Sequence, residues 1–266
     1  PEMSSPGLLL FWLAVSVYAL SFIFYLVSLV FKKERAGVFA FYLIGSAFVI
    51  QTIYIAQRWI VSGHPPVVGR FENSLWGTWF VVLIALILFF RRKGLRSIGA
   101  VISPFVLLML GNGLVGGDLA IEPLSPPFKS GWLWVHVIFA WLAYGSYTVS
   151  AGLAAVYLFK RGESTAKIVL EDLIVKFIAL GFISHIVMVG SGAVWAYGLW
   201  GRYWGWDPLE TWSLISWLIY GLILHLRLTI GWKGKRIAWL AILSLVGIII
   251  LFWGIGFVSK LHTGLL

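Results

Sequence analysis

Cysteine is absent from this 266-residue chain. That excludes a thiol nucleophile, a disulfide framework and a zinc–thiolate site, and it means the chain cannot itself reduce another protein's thiols. Charge is scarce as well. Only 11% of residues are Asp, Glu, Lys or Arg, against 61% hydrophobic, which lies outside the range of a soluble globular domain. Three methionines and five histidines leave few side chains able to ligate a soft or borderline metal. There is no low-complexity tract and no clear internal repeat. Acidic residues are half as numerous as basic ones, for a net charge of +10. Such an excess can signal nucleic-acid binding, but here the basic residues sit in short loops between apolar runs, so no nucleic-acid partner is expected.

What the chain has is apolar length, with a mean hydropathy of +0.95. Eight runs approach the ~20 apolar residues that cross a bilayer, over roughly 7–31, 36–60, 74–90, 97–115, 132–159, 171–194, 208–229 and 237–258. The expected fold is an all-α polytopic membrane helix bundle of about eight transmembrane helices, read as a single domain over 1–266. The first run is too long for the apolar region of a signal peptide and lacks a small-residue cleavage site, so it is read as a mature span. The best internal boundary is PLSPPFKSG at 123–131, which divides four helices from four.

The loops alternate in charge. Lys32, Lys33 and Arg35; Arg91, Arg92, Lys93 and Arg96; Lys160, Arg161 and Lys167; and Arg227, Lys233, Lys235 and Arg236 hold 14 of the 20 basic residues. Arg58, Arg70, Lys129, Arg202 and Lys260 fall on the other side, and Lys176 can snorkel from the sixth span. The positive-inside rule makes the basic set cytoplasmic. Both termini and the loops at 61–73, 116–131 and after 194 are then extracytoplasmic.

One stretch stands out against this background. Six of the sixteen tryptophans lie between Trp195 and Trp217, in WAYGLWGRYWGWDPLETWSLISW. Glycines at 198, 201 and 205 let the backbone bend between the rings, and the rings offer flat faces edged with indole donors. The second half carries helix-start signals: Asp207 as N-cap, Pro208 at the first helical position and Glu210 three residues after the cap. Tryptophans also gather at membrane interfaces without binding anything. That accounts for Trp59, Trp76, Trp79, Trp132 and Trp253 but not for Trp200, Trp204 and Trp206 on a glycine-spaced loop. Asp207 and Glu210, with Trp212 in the same motif, are assigned to holding the loop.

Residues 200–212, WGRYWGWDPLETW, resemble the tryptophan-rich "WWD" signature of the haem-handling proteins of cytochrome c biogenesis, in particular the transmembrane subunit of the System II cytochrome c synthetase. The resemblance implies haem as substrate in transit, of b type and not covalently attached. It implies a larger partner subunit and an apocytochrome c bearing Cys-x-x-Cys-His; a separate thiol-reducing protein would fit the absence of cysteine. The membrane it suggests is a bacterial inner membrane, with a thylakoid as the alternative.

The histidines are the plausible iron ligands. His136, in GWLWVHVIF, and His262, in SKLHTGLL, are each explained by an interfacial or tail position; yet both are expected at the level of the tryptophan loop and flank it in sequence. In the resembled family an outer histidine on either side of the motif serves as axial ligand, and these two match. His225 lies seventeen residues past Pro208, roughly 25 Å below the loop. A helix-end histidine set against the C-terminal dipole is the plain alternative, while the family places a haem-binding histidine there. His185 is expected about 15 Å deep, offset from His225 by ~10 Å, and is read as a hydrogen-bonded bundle histidine. His64, in GHPPVVGRFENSLW, is read as a loop residue. Arg202 could pair with a haem propionate or with a lipid phosphate. Two other functions stay open: a haem b electron-transfer subunit using His185 and His225, and a haem-free transporter or assembly scaffold.

Overall fold

A computed structural model describes residues 5–116, 119–121, 123–124, 126–160 and 165–249 of the chain. They form eight α-helices: α1 (Ser5–Phe31), α2 (Glu34–Ser62), α3 (Gly69–Arg91), α4 (Gly99–Gly116), α5 (Gly131–Phe159), α6 (Thr165–Trp200), α7 (Pro208–Leu228) and α8 (Lys235–Ile249). Short 3-10 turns precede α4 and α5, and no strand occurs among the described residues. Six helices are long and apolar enough to cross a membrane; the apolar stretch of α4, Gly99–Val115, is shorter, and α8 is described for 15 residues. The all-α polytopic expectation is met.

The chain divides into two compact units, one ending at Leu124 and the other starting at Ser125, inside the Pro-rich stretch singled out from the sequence. In the first unit α1 packs on α2 and α4, and α3 packs on α4 and α2. Its apolar helices are joined by satisfied polar groups. Gln51 accepts from Tyr18 Oη at 2.7 Å and donates to the Leu75 carbonyl at 2.8 Å and Thr78 Oγ1 at 2.9 Å. Arg58, counted above among the few basic residues on the side of the tryptophan loop, is buried together with Glu72, each 2% exposed, and its Nε donates to Glu72 Oε1 at 2.6 Å. The same guanidinium donates to the Leu119 and Ala120 carbonyls at 3.0 and 2.8 Å, and the second Glu72 oxygen accepts from Val68 N–H at 2.6 Å. Buried charges need this completeness, because each unmet lone pair or proton adds to the desolvation cost. Trp76 and Trp79, expected as interfacial rings, donate to the Pro66 carbonyl and Thr52 Oγ1, and Trp79 stacks on Phe48.

In the second unit α5 packs on α6 and α8, and α7 packs on α6 and α8. Helix α6 has 36 residues, about 54 Å at 1.5 Å per residue, far more than the ~30 Å hydrocarbon layer. The expected end at 194 was therefore short: Trp195–Trp200 is helical. A single Gly198 costs only about 1 kcal/mol in a helix, and the stop comes at Gly201, whose φ of 68° and N–H bond to the Tyr197 carbonyl at 2.9 Å form a left-handed C-terminal cap.

Candidate functional site

The non-helical part of the tryptophan stretch is thus seven residues, 201–207, and it is built rigidly. Glu210 N–H donates to Asp207 Oδ1 at 2.8 Å. The Glu210 carboxylate reaches back to accept from Gly205 N–H at 2.7 Å and Asp207 N–H at 3.4 Å. This is the capping box read from the sequence, with Pro208 beginning α7, extended by one further bond to Gly205. Besides Gly201, the residue of this stretch that takes the left-handed conformation is Trp206, at φ 56°. A bulky residue there stores strain of order 1–3 kcal/mol, and the Glu210 bonds on either side of it hold it in place. Its ring is 70% exposed and meets Trp204 edge-on at 5.8 Å.

Trp204 points its indole Nε1–H into the protein, where no acceptor meets it among the described residues. An orphaned buried donor normally marks a place where a ligand or water completes the bond. Arg202 is exposed, with its guanidinium folded over Gly205. Trp200 sits at the end of α6, edge-on to Trp195 at 5.9 Å, and Trp212 is half-buried in the first turns of α7.

His136, half-buried on α5, lies against α6 with Nδ1 2.8 Å from the Met188 carbonyl. A carbonyl only accepts, so Nδ1 carries the proton and Nε2 carries the lone pair. This is how proteins orient an imidazole for a metal: one nitrogen donates to a fixed acceptor while the other faces the ion. The ring is at the level of Met188–Gly192, some 12 Å along α6 below Trp200, deeper than the level with the loop expected from sequence. His262 lies outside the described residues, so its pairing with His136 is not visible in the structure.

His185 is fully buried. Its Nε2 is 3.1 Å from Ser213 Oγ and its Nδ1 3.4 Å from Tyr147 Oη, and Tyr147 stacks face to face on Tyr220 at 3.4 Å. This is the bundle histidine expected. Ser213 also marks the level on α7 that this α6 residue faces: His225 is twelve residues further on, about 18 Å along the axis, almost twice the sequence-based offset. The two imidazoles cannot share an iron, which removes the ligand pair of the electron-transfer reading. His225 itself is exposed, on the stripe of α7 formed by Ile215, Leu218 and Leu222. His64 bonds the Pro65 carbonyl through Nδ1 at 3.0 Å in the loop between α2 and α3.

Sequence reasoning missed the Met188 carbonyl and the Arg58–Glu72 pair. The first leaves no side-chain signal. The second had one, since ionisable residues inside otherwise apolar spans are seldom incidental.

These features define a class: a polytopic helical membrane protein carrying, near one end of a four-helix unit, a strained tryptophan turn and a tautomer-fixed histidine. Among known proteins, the model of the family described as cytochrome C assembly protein matches residues 8–262, and the chain belongs to that family. The cytochrome c biogenesis protein CcsA of Guillardia theta is 32% identical over 278 residues, covering 92% of this chain and 91% of that one. A CcsA of Prochlorococcus marinus is 32% identical over 289 residues, with the same coverage, and CcsA of Chlamydomonas reinhardtii is 31% identical over 237 residues, 83% of this chain and 67% of that one. The solved structure of cytochrome c haem lyase CcmF superposes with a TM-score of 0.73 at 18% identity, over 95% of this chain and 47% of its own. That likeness is one of fold, and the chain spans about half the length of that structure.

Proposed function

We propose that this chain works in cytochrome c biogenesis by holding haem at the extracytoplasmic face of a membrane and presenting it to an apocytochrome c. The observation that carries the reading is the His136 Nδ1–H bond to the Met188 carbonyl, which places the imidazole's lone pair on Nε2, the nitrogen that would meet iron, on the unit that carries the tryptophan turn. Haem here is substrate in transit, of b type and non-covalently held. His136 ligates its iron, with His262 as second axial ligand; the exposed face of Trp206 and the edges of Trp200 and Trp204 border the macrocycle, and the Trp204 indole N–H and Arg202 suit its propionates.

Attachment adds each substrate thiol across a haem vinyl: sulfur bonds one vinyl carbon, the thiol proton goes to the other, and no net electrons are exchanged. The chain's contribution is position, since a fixed geometry replaces a bimolecular encounter. The substrate's own histidine displaces one axial ligand as it docks. With no cysteine in the chain, the Cys-x-x-Cys-His thiols arrive reduced by another protein. His225, on an exposed apolar stripe, marks an inner station whose second ligand comes from the larger System II subunit. The basic loops face the cytoplasm of a bacterial inner membrane, a thylakoid being the alternative setting.

The purified chain should give a pyridine haemochrome spectrum of non-covalent haem, and His136→Gly should loosen that haem in a way that added imidazole reverses. An absence of haem after co-expression with the partner and full haem supply would leave only the scaffold reading.

A further inference from the structure

We infer that Gly192 is a positioning residue for His136, because only a residue without a side chain lets the imidazole reach the Met188 carbonyl. The inference rests on the reading of His136 as an iron ligand and adds the element that sets the ligand's orientation. Gly192 follows Met188 by one turn on the same face of α6. A Cβ built on it would stand 2.5 Å from His136 Nδ1 and 2.9 Å from Cε1, so it would occupy the space the ring now fills.

What such a side chain displaces is the far end of a histidine with two free torsions, so the ring swings aside while α5 and α6 stay packed. The hydrogen bond at 2.8 Å is then lost, and with it the device that places the lone pair on Nε2 and raises its basicity. The Met188 carbonyl keeps a donor in Ser191 Oγ at 3.1 Å, so the damage falls on the imidazole and not on α6. A control lies two residues away: a Cβ at Gly190 meets nothing within 4 Å.

The experiment compares wild type, Gly192→Ala, Gly190→Ala and His136→Gly as purified full-length chains titrated with ferric haem. Gly190→Ala makes the same chemical change in the same helix and should bind as wild type. Gly192→Ala should bind roughly 10–100-fold more weakly, the usual effect of losing an outer-shell partner. It should also show a higher midpoint potential, because a less basic imidazole favours ferric iron less, and free imidazole should restore its low-spin spectrum. A purely structural role for Gly192 would lower stability without moving the potential or allowing that rescue.

If Gly192→Ala behaves like Gly190→Ala while His136→Gly loses the haem, the positioning role is overturned and the ligand reading stands. If His136→Gly also binds normally, the ligand reading itself falls. Nitrogen-15 NMR of the haem-free wild type, with the His136 signal assigned by its loss in His136→Gly, tests the geometry independently of any glycine variant. The Nδ1–H tautomer is expected, and the Nε2–H tautomer would overturn the proposal.

Discussion

The tryptophan turn should depend more on Glu210 than on its N-cap. Asp207→Ala removes the cap bond from Glu210 N–H at 2.8 Å, and a lost N-cap costs about 1 kcal/mol. Glu210→Ala removes the carboxylate that accepts from Gly205 N–H at 2.7 Å and Asp207 N–H at 3.4 Å, and hydrogen bonds to a charged group contribute about 1.5–3 kcal/mol. At tenfold per 1.4 kcal/mol, local opening should become about fivefold more frequent in the first variant and of order 10–100-fold in the second. The second loss rivals the ~1–3 kcal/mol of strain at Trp206, so without Glu210 the ring should leave its left-handed conformation. Hydrogen exchange read by mass spectrometry over 198–212, with peptides of α5 as internal reference, measures both. Adding Trp206→Gly to Glu210→Ala should recover part of the protection, because glycine adopts a φ of 56° freely and its entropic penalty of about 0.5–1 kcal/mol is smaller than the strain removed. Equal effects of Asp207→Ala and Glu210→Ala, or a further loss on adding the glycine, would refute a strained turn held from α7.

Glu72→Ala leaves Arg58 buried beside two carbonyls and should cost about 3–5 kcal/mol, whereas Arg58→Met combined with Glu72→Leu should come close to wild type or exceed it; thermal melts in detergent give both values. His185→Leu removes one of two partners of the Ser213 hydroxyl, Tyr144 being the other, so it should cost about 0.5–1.5 kcal/mol, yet should leave haem content unchanged, and a loss of haem in that variant would count against the assignment of His185 to the bundle. For His225 the measurement is haem stoichiometry with and without the larger partner: co-expression should add one haem that His225→Ala abolishes, and an inner haem already present in the isolated chain would contradict the need for a second polypeptide.

The sequence by itself determined the helices, the Pro-rich division after four of them and the start of α7. Each is written in local terms: an apolar run as long as a bilayer is thick, prolines that interrupt it, and an Asp-Pro-x-Glu spacing that satisfies orphan N–H groups from within four residues. The same locality explains the misjudged end of α6, since Gly198 resembles a stop but lacks the left-handed backbone that Gly201 adopts. Tertiary structure alone decided which nitrogen of His136 holds the proton, because that depends on a carbonyl 52 residues away with no side-chain signature. It alone enclosed His185 between Ser213 and Tyr147, left His225 on an exposed stripe and closed Arg58 onto Glu72. A histidine's role is set by what it faces, and in a helical bundle that is fixed by packing between helices far apart in the chain.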